Sequence, residues 1–206
     1  MHAHPSASRR QRLAQWLRRE VLPLAVMLLL LGMARTSLAN HYQVPTGSMQ
    51  PNLQPGDRVV VDMRAYGVRV PFTERVLLEV DQPQAGDVAV FDSPADGVRL
   101  IKRVVAVAGD RVELRSGRLT VNGRAMAAGD SLEWIGPRLA QLELAQGGGP
   151  DIDGVIVPQG QVLVLGDHRG NSVDSRWFGF VPARALYGRA VAVYWRRDEG
   201  LSWKRL

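Results

Sequence analysis

The 206-residue chain is 46% hydrophobic and 22% charged, carries a formal net charge of +6 and contains no cysteine. That length suits one ordinary domain with a self-sufficient core, and the missing cysteines exclude disulfide scaffolds, thiolate metal sites and thiol nucleophiles. The charge does not indicate nucleic acid: residues 1–20 hold five arginines (Arg9, Arg10, Arg12, Arg18, Arg19) against Glu20, leaving only +2 on the other 186 residues.

An apolar run follows the basic tail. Residues 21–34 read VLPLAVMLLLLGMA, then Arg35 precedes Thr36-Ser37-Leu38-Ala39. Counted to Ala39 the run has 19 residues, close to the roughly 20 needed to span a bilayer, with Arg35 near one end where it can snorkel. A cleaved signal peptide has a basic start, an apolar centre and small residues such as Ser37-Leu38-Ala39. A retained anchor follows the same charge logic, with arginines on the cytoplasmic side. The pattern leaves both open, and both send everything after Asn40 across the membrane.

Beyond the run, the apolar residues fall in short β-branched stretches separated by Gly-Asp, Asn-Gly and Pro signals. Residues 59–61, 88–91, 100–107, 162–165 and 190–195 are expected to be strands. Arg111 to Leu114 alternates, and Ser116-Gly117 and Asn122-Gly123 are hairpin-type turns. Residues 127–149, ending in Gly147-Gly148-Gly149-Pro150, read as loop. No amphipathic helix longer than three turns stands out. The expectation is an all-β body with a hairpin-rich insertion at about 111–160.

Two segments carry chemistry. In Tyr42-Gln43-Val44-Pro45-Thr46-Gly47-Ser48-Met49-Gln50-Pro51-Asn52-Leu53 a serine follows glycine on a loop shaped by prolines. Gly47 permits close backbone approach and an unusual φ, suited to a nucleophile beside an amide donor. In Val98-Arg99-Leu100-Ile101-Lys102-Arg103-Val104-Val105-Ala106-Val107 a lysine sits mid-strand, sharing a face with Val98, Leu100, Val104 and Ala106. Apolar surroundings strip hydration from its charged form and lower its pKa, making it a usable general base. Periodicity does not separate Lys102 from Arg103, which shares a face with Ile101 and Val105. Chemistry does, because a guanidinium cannot surrender its proton. Serine with lysine is a known variant of triad logic.

A third segment, Gly166-Asp167-His168-Arg169-Gly170-Asn171-Ser172-Val173-Asp174-Ser175-Arg176-Trp177-Phe178-Gly179-Phe180-Val181-Pro182, completes a pattern. Together with Gly56-Asp57, Gly86-Asp87-Val88-Ala89-Val90-Phe91 and Ile101-Lys102-Arg103 through Gly109-Asp110, these stretches fall in one order. The sequence resembles the type I signal peptidases, membrane-bound Ser–Lys endopeptidases that remove signal peptides from exported proteins. The resemblance implies a mainly β, signal-peptidase-type catalytic domain with a short hairpin-rich insertion, preceded by one transmembrane helix. It divides the chain into a basic cytoplasmic tail (1–20), an anchor (21–39) and an exported domain (40–206). It places the protein in the bacterial cytoplasmic membrane, single-pass, with the catalytic domain on the outer, periplasmic face.

The resemblance also assigns residues. Ser48 becomes the nucleophile and Lys102 the base; the Ser48 amide and the Thr46 hydroxyl form the oxyanion hole. Ser172 hydrogen-bonds Lys102. Asp174 and Arg176, on one face if extended, form a structural ion pair. Tyr42, Val44, Met49, Leu53, Leu100 and Ile101 shape pockets for small substrate side chains. No cofactor or metal is implied; the partners are preprotein signal peptides with small residues at −1 and −3, and membrane lipid. His168 and Gly170 stand where many relatives have Asn and Asp, the insertion is short, and one apolar segment precedes Ser48 where several relatives have two. The family tilts the N-terminal segment towards a retained anchor.

Three rival readings carry discriminators: a specialised maturation peptidase, for instance for a conjugative pilus subunit, by substrate range; a His168–Ser48–Asp174 enzyme, by replacing His168; and a non-enzymatic membrane-anchored β-domain, by absence of hydrolysis. Trp177, Phe178 and Phe180, with Trp195 and Trp203 beside Arg196, Arg197, Lys204 and Arg205, suit a membrane interface.

Overall fold

A computed structural model describes residues 9, 15–28, 39–69 and 76–206. Residues 15–28 are helical, with a π-helical stretch over Leu17–Val21. Among the described residues no helix is long and apolar enough to cross a membrane. The apolar part of the described helix begins only at Val21, too little for a span. The expected anchor is therefore not seen as a spanning helix, and residues 29–38 of it lie outside the described residues.

The rest is mainly β, as expected. The strands are β1 (Ala39–Gln43), β2 (Arg58–Asp62), β3 (Gly67–Arg69), β4 (Val76–Glu79), β5 (Val88–Asp92) and β6 (Arg99–Val107). Then come β7 (Arg111–Arg115), β8 (Arg118–Val121), β9 (Arg124–Ala125), β10 (Ala127–Gly129), β11 (Leu132–Ile135), β12 (Arg138–Gln141) and β13 (Ile152–Ile156). The chain closes with β14 (Gln161–Leu165), β15 (Val181–Pro182), β16 (Leu186–Arg196) and β17 (Gly200–Arg205). One antiparallel sheet runs β1-β2-β16-β5-β6-β14-β15, with β17 added on β16.

Val88-Ala89-Val90-Phe91 is uninterrupted because both of its faces are covered. Val88 and Val90 pack with Val59, Val61, Met49 and Leu53, while Ala89 and Phe91 pack with Val104, Val164 and Leu186 on the other side. A strand buried on both faces loses the polar alternation that exposure imposes.

Between β6 and β14 the chain leaves this sheet and forms two small ones, β13-β7-β8-β9 and β10-β11-β12. The two hairpin turns expected from sequence are present, with positive φ at Ser116, Gly117, Asn122 and Gly123 as tight primed turns require. Residues 127–141, expected as loop, are instead three strands. The glutamate that breaks their apolar pattern, Glu133, is fully buried because Arg169 neutralises it at 2.7 Å. A charge satisfied from a distant segment is invisible to local patterning.

Candidate active site

The serine loop is built by closing its base and pinning its underside. Val44 N–H donates to the Asp57 carbonyl and Gly56 N–H to the Val44 carbonyl, both at 2.8 Å. Met49 and Leu53 are fully buried in the core, each contributing about 1.5–3 kcal/mol by leaving water. They anchor the loop and do not line the groove described below, a correction to their expected role in substrate contact. Ser48 sits in a 3₁₀ turn over Gly47–Met49. Gly47 is not among the glycines with positive φ, so the expected unusual backbone is absent; the turn alone presents the hydroxyl.

Lys102 meets that hydroxyl. Its Nζ donates to Ser48 Oγ at 2.6 Å and to its neighbour Ile101's carbonyl at 3.2 Å. The side chain is 2% exposed. Burial pulls its pKa down to about 8, against the opposing pull of the Asp174 and Asp167 carboxylates. Thr46 Oγ1 donates to Ser48 Oγ at 3.3 Å.

A groove of about 230 Å³ runs to this pair, lined by Tyr42, Val44, Leu100 and Ile101 and also by Pro45, Val59, Val90, Val98 and Arg99. Its walls are two strand edges that are unpaired among the described residues. β14 pairs with β6 only from Arg103 onward, leaving the stretch before Lys102 open, and β1 is the terminal strand of the sheet. Arg99 crosses the far end of the groove: its Nε pairs with Asp92 at 2.9 Å, and its guanidinium lies 5.9 Å from the Tyr42 ring and 4.5 Å from the Tyr187 ring. Arg99 has one signal in the sequence, the aspartate seven residues earlier, which faces it across a β-hairpin.

A family model described as signal peptidase, peptidase S26 matches residues 15–195. The chain belongs to the S26 signal peptidase family. Signal peptidase I of Pseudomonas fluorescens is 35% identical over 189 residues, covering 78% of this chain and 66% of that protein. The probable signal peptidase I-2 of Synechocystis is 32% identical over 187 residues, covering 87% of this chain and 73% of its own. A solved signal peptidase I of Enterococcus faecalis is 29% identical and aligns over 55% of this chain and 100% of its own, with a TM-score of 0.40. This chain thus spans about two thirds of the length of the Pseudomonas relative.

In this S26 chain the third motif supports the serine loop from behind. His168 N–H donates to the Ser48 carbonyl at 3.1 Å. Gly166 is required between them: a Cβ there would meet the Ser48 carbonyl oxygen at 2.5 Å and Ser172 Cβ at 2.5 Å. The expected Ser172–Lys102 hydrogen bond is not formed. Ser172 Oγ packs over Gly166, buried and without a hydrogen-bond partner, while Lys102 directs its amine to Ser48 and the Ile101 carbonyl.

Asp174 and Arg176 are paired, but through a helical turn instead of extended backbone. Asp174 caps the turn α1 (Ser175–Phe178) by accepting from Arg176 N–H. Its carboxylate takes Arg176 Nε at 2.8 Å and Nη2 at 2.7 Å, and also Gly166 N–H at 2.9 Å. Both side chains are fully buried.

His168 is buried with neither ring nitrogen hydrogen-bonded, and Asp174 is committed to Arg176, so no Ser–His–Asp chain forms here. At Gly170 a Cβ would meet the Gln146 carbonyl oxygen at 2.5 Å. Among the described residues no cluster of His, Asp and Glu is placed to hold a metal ion.

Proposed function

We propose that this S26 protein is a membrane-bound serine endopeptidase that removes N-terminal signal peptides from exported preproteins with Ser48 and Lys102. The observation that carries this reading is the 2.6 Å contact between a buried lysine amine and a serine hydroxyl, at the end of a groove walled by two unpaired strand edges. An extended peptide adds to such edges through main-chain hydrogen bonds, and shallow apolar pockets select alternate side chains. Small residues at −1 and −3 fit Tyr42, Val44, Leu100 and Ile101.

Neutral Lys102 takes the Ser48 proton as Oγ attacks the scissile carbonyl carbon. The oxyanion lies against the Ser48 N–H and the Thr46 hydroxyl. Lys102 returns the proton to the leaving amine, and water then hydrolyses the acyl-enzyme. Ser172 shapes the floor behind the pair, and the Asp174–Arg176 pair holds the third motif. The tail (1–20) stays cytoplasmic, residues 21–39 anchor the chain, and residues 40–206, including the inserted β region at about 111–160, stand on the outer face of the cytoplasmic membrane.

Incubating several unrelated preproteins with the wild type and with Ser48→Ala tests this. The wild type should cut after a small residue, located by mass spectrometry, and the variant should lose on the order of 10³-fold or more in rate. Cutting of one pilin-type substrate alone would move the reading to a specialised maturation peptidase, and no cutting by the wild type would end it.

Lipid contact is the second part of the proposal. Leu201 and Trp203 on β17 are 84% and 67% exposed, Trp195 on β16 is partly exposed, and Arg58 stacks on it at 5.9 Å. Aromatic rings among cations suit the headgroup region. In a chain lacking residues 1–38, replacing Trp203 and Leu201 with serine should weaken binding to anionic vesicles without changing hydrolysis of a soluble peptide; unchanged binding would exclude this face.

A further inference from the structure

The serine loop is fastened to the rest of the molecule by few polar contacts. Most of its hydrogen bonds are internal to residues 44–57: Gln50 N–H to the Gly47 carbonyl, Leu53 N–H to the Met49 carbonyl, Gln54 N–H to Asp57 and Gln50 Nε2 to Gln54. Among the described residues one loop side chain hydrogen-bonds to both the third motif and the inserted β region. Asn52 Nδ2 donates one hydrogen to Asp167 Oδ2 at 2.8 Å and the other to the Gln141 carbonyl at 2.7 Å.

Both acceptors belong to hydrogen-bonded structure. Asp167 is buried and receives Arg103 Nε at 2.8 Å and Nη2 at 2.7 Å, and Arg103 follows Lys102 on β6. Gln141 ends β12, and two residues on Glu143 N–H donates to the Asp167 carbonyl at 3.0 Å while its own carbonyl accepts from Arg169 N–H at 3.1 Å. Asn52 therefore ties the segment bearing Ser48 to the residue beside Lys102 and to the insertion at a single amide nitrogen.

The geometry points to Asn52 as a positioning residue. It braces the Ser48 loop against the buried Arg103–Asp167 pair and the inserted β region, and so sets the distance between the serine hydroxyl and the lysine amine. Asn52 does not line the groove, so its effect belongs to the chemical step and not to substrate binding. The inference rests on Ser48 and Lys102 being nucleophile and base.

Asn52→Asp keeps size and shape but removes both donors; Asn52→Leu removes them without adding charge. Both should lower kcat at least about tenfold, since small misplacements of reacting groups cost this much or more, with KM within about twofold of wild type. The second readout needs no turnover. Hydrogen exchange at single-residue resolution on the full chain should accelerate at His168, whose N–H is held by the Ser48 carbonyl, and stay unchanged at Val164, held by Ser175 Oγ at 3.0 Å. If either isostere fails to fold, Asn52→Ser is read in the same way. Unchanged kcat, or unchanged His168 exchange, overturns the inference. A wild type without peptidase activity overturns the proposed function instead, and leaves the exchange comparison to judge the brace.

Discussion

Replacing Lys102 with methionine is expected to abolish processing and, at neutral pH, to stabilise the protein. The activity loss should be on the order of 10³-fold or more, because among the described residues no other base reaches Ser48 Oγ. The gain in stability has a separate cause. Burial lowers the Lys102 pKa from 10.5 to about 8, so the folded state disfavours a charge that the unfolded chain keeps in water. A depression of that size corresponds to roughly 3 kcal/mol. The unfolded chain binds the extra proton between about pH 8 and 10.5, so wild-type stability rises with pH through that window and the penalty is fully present below it. Methionine has similar length, no charge and flexible packing. Urea titrations at pH 7 and near pH 10.5 should show the variant ahead at the lower pH and the difference shrinking at the higher. A variant less stable than wild type at pH 7 would mean that the buried amine is not the liability its surroundings indicate. The same pKa places the acid limb of wild-type kcat/KM near pH 8, rising with pH as Lys102 becomes neutral.

How much of this was readable in the sequence depends on how local the cause is. The strands over residues 88–91 and 162–165 were legible because their apolar runs are short and flanked by turn residues, and the hairpins at Ser116-Gly117 and Asn122-Gly123 because those pairs tolerate positive φ. Lys102 stood out from Arg103 only on chemical grounds, and its contact with Ser48 spans 54 positions of chain. Long-range partners defeated the reading elsewhere. Glu133 looked like a loop residue because Arg169, 36 positions on, could not be seen. Family motifs record position but not direction, so they place Met49 and Leu53 at substrate pockets although both are buried in the core. The same motifs give Ser172 a lysine partner, whereas its hydroxyl occupies the space left by the missing side chain of Gly166.

The second large effect is expected at Asp174. Asp174→Asn preserves volume but leaves the fully buried Arg176 guanidinium without a counter-charge and turns an amide towards one of the donors that the carboxylate now accepts, Arg176 or Gly166 N–H. Breaking one partner of such a pair costs about 3–5 kcal/mol, while the asparagine oxygen can still cap α1. Arg176→Met should destabilise by a similar route, stranding the carboxylate, and the double variant Asp174→Asn/Arg176→Met should recover part of the loss because no buried charge remains alone. The two single variants differ in what they do to Lys102. The Asp174 carboxylate raises the lysine pKa and the Arg176 guanidinium lowers it. Removing the carboxylate should therefore move the acid limb of kcat/KM to lower pH, and removing the guanidinium should move it to higher pH, although both variants unfold at lower urea. Stability and pH profile thus separate two roles of one ion pair: both partners hold the third motif, but they act with opposite sign on the base. Limbs moving in the same direction, or staying fixed while stability falls, would show that the pair is scaffold alone.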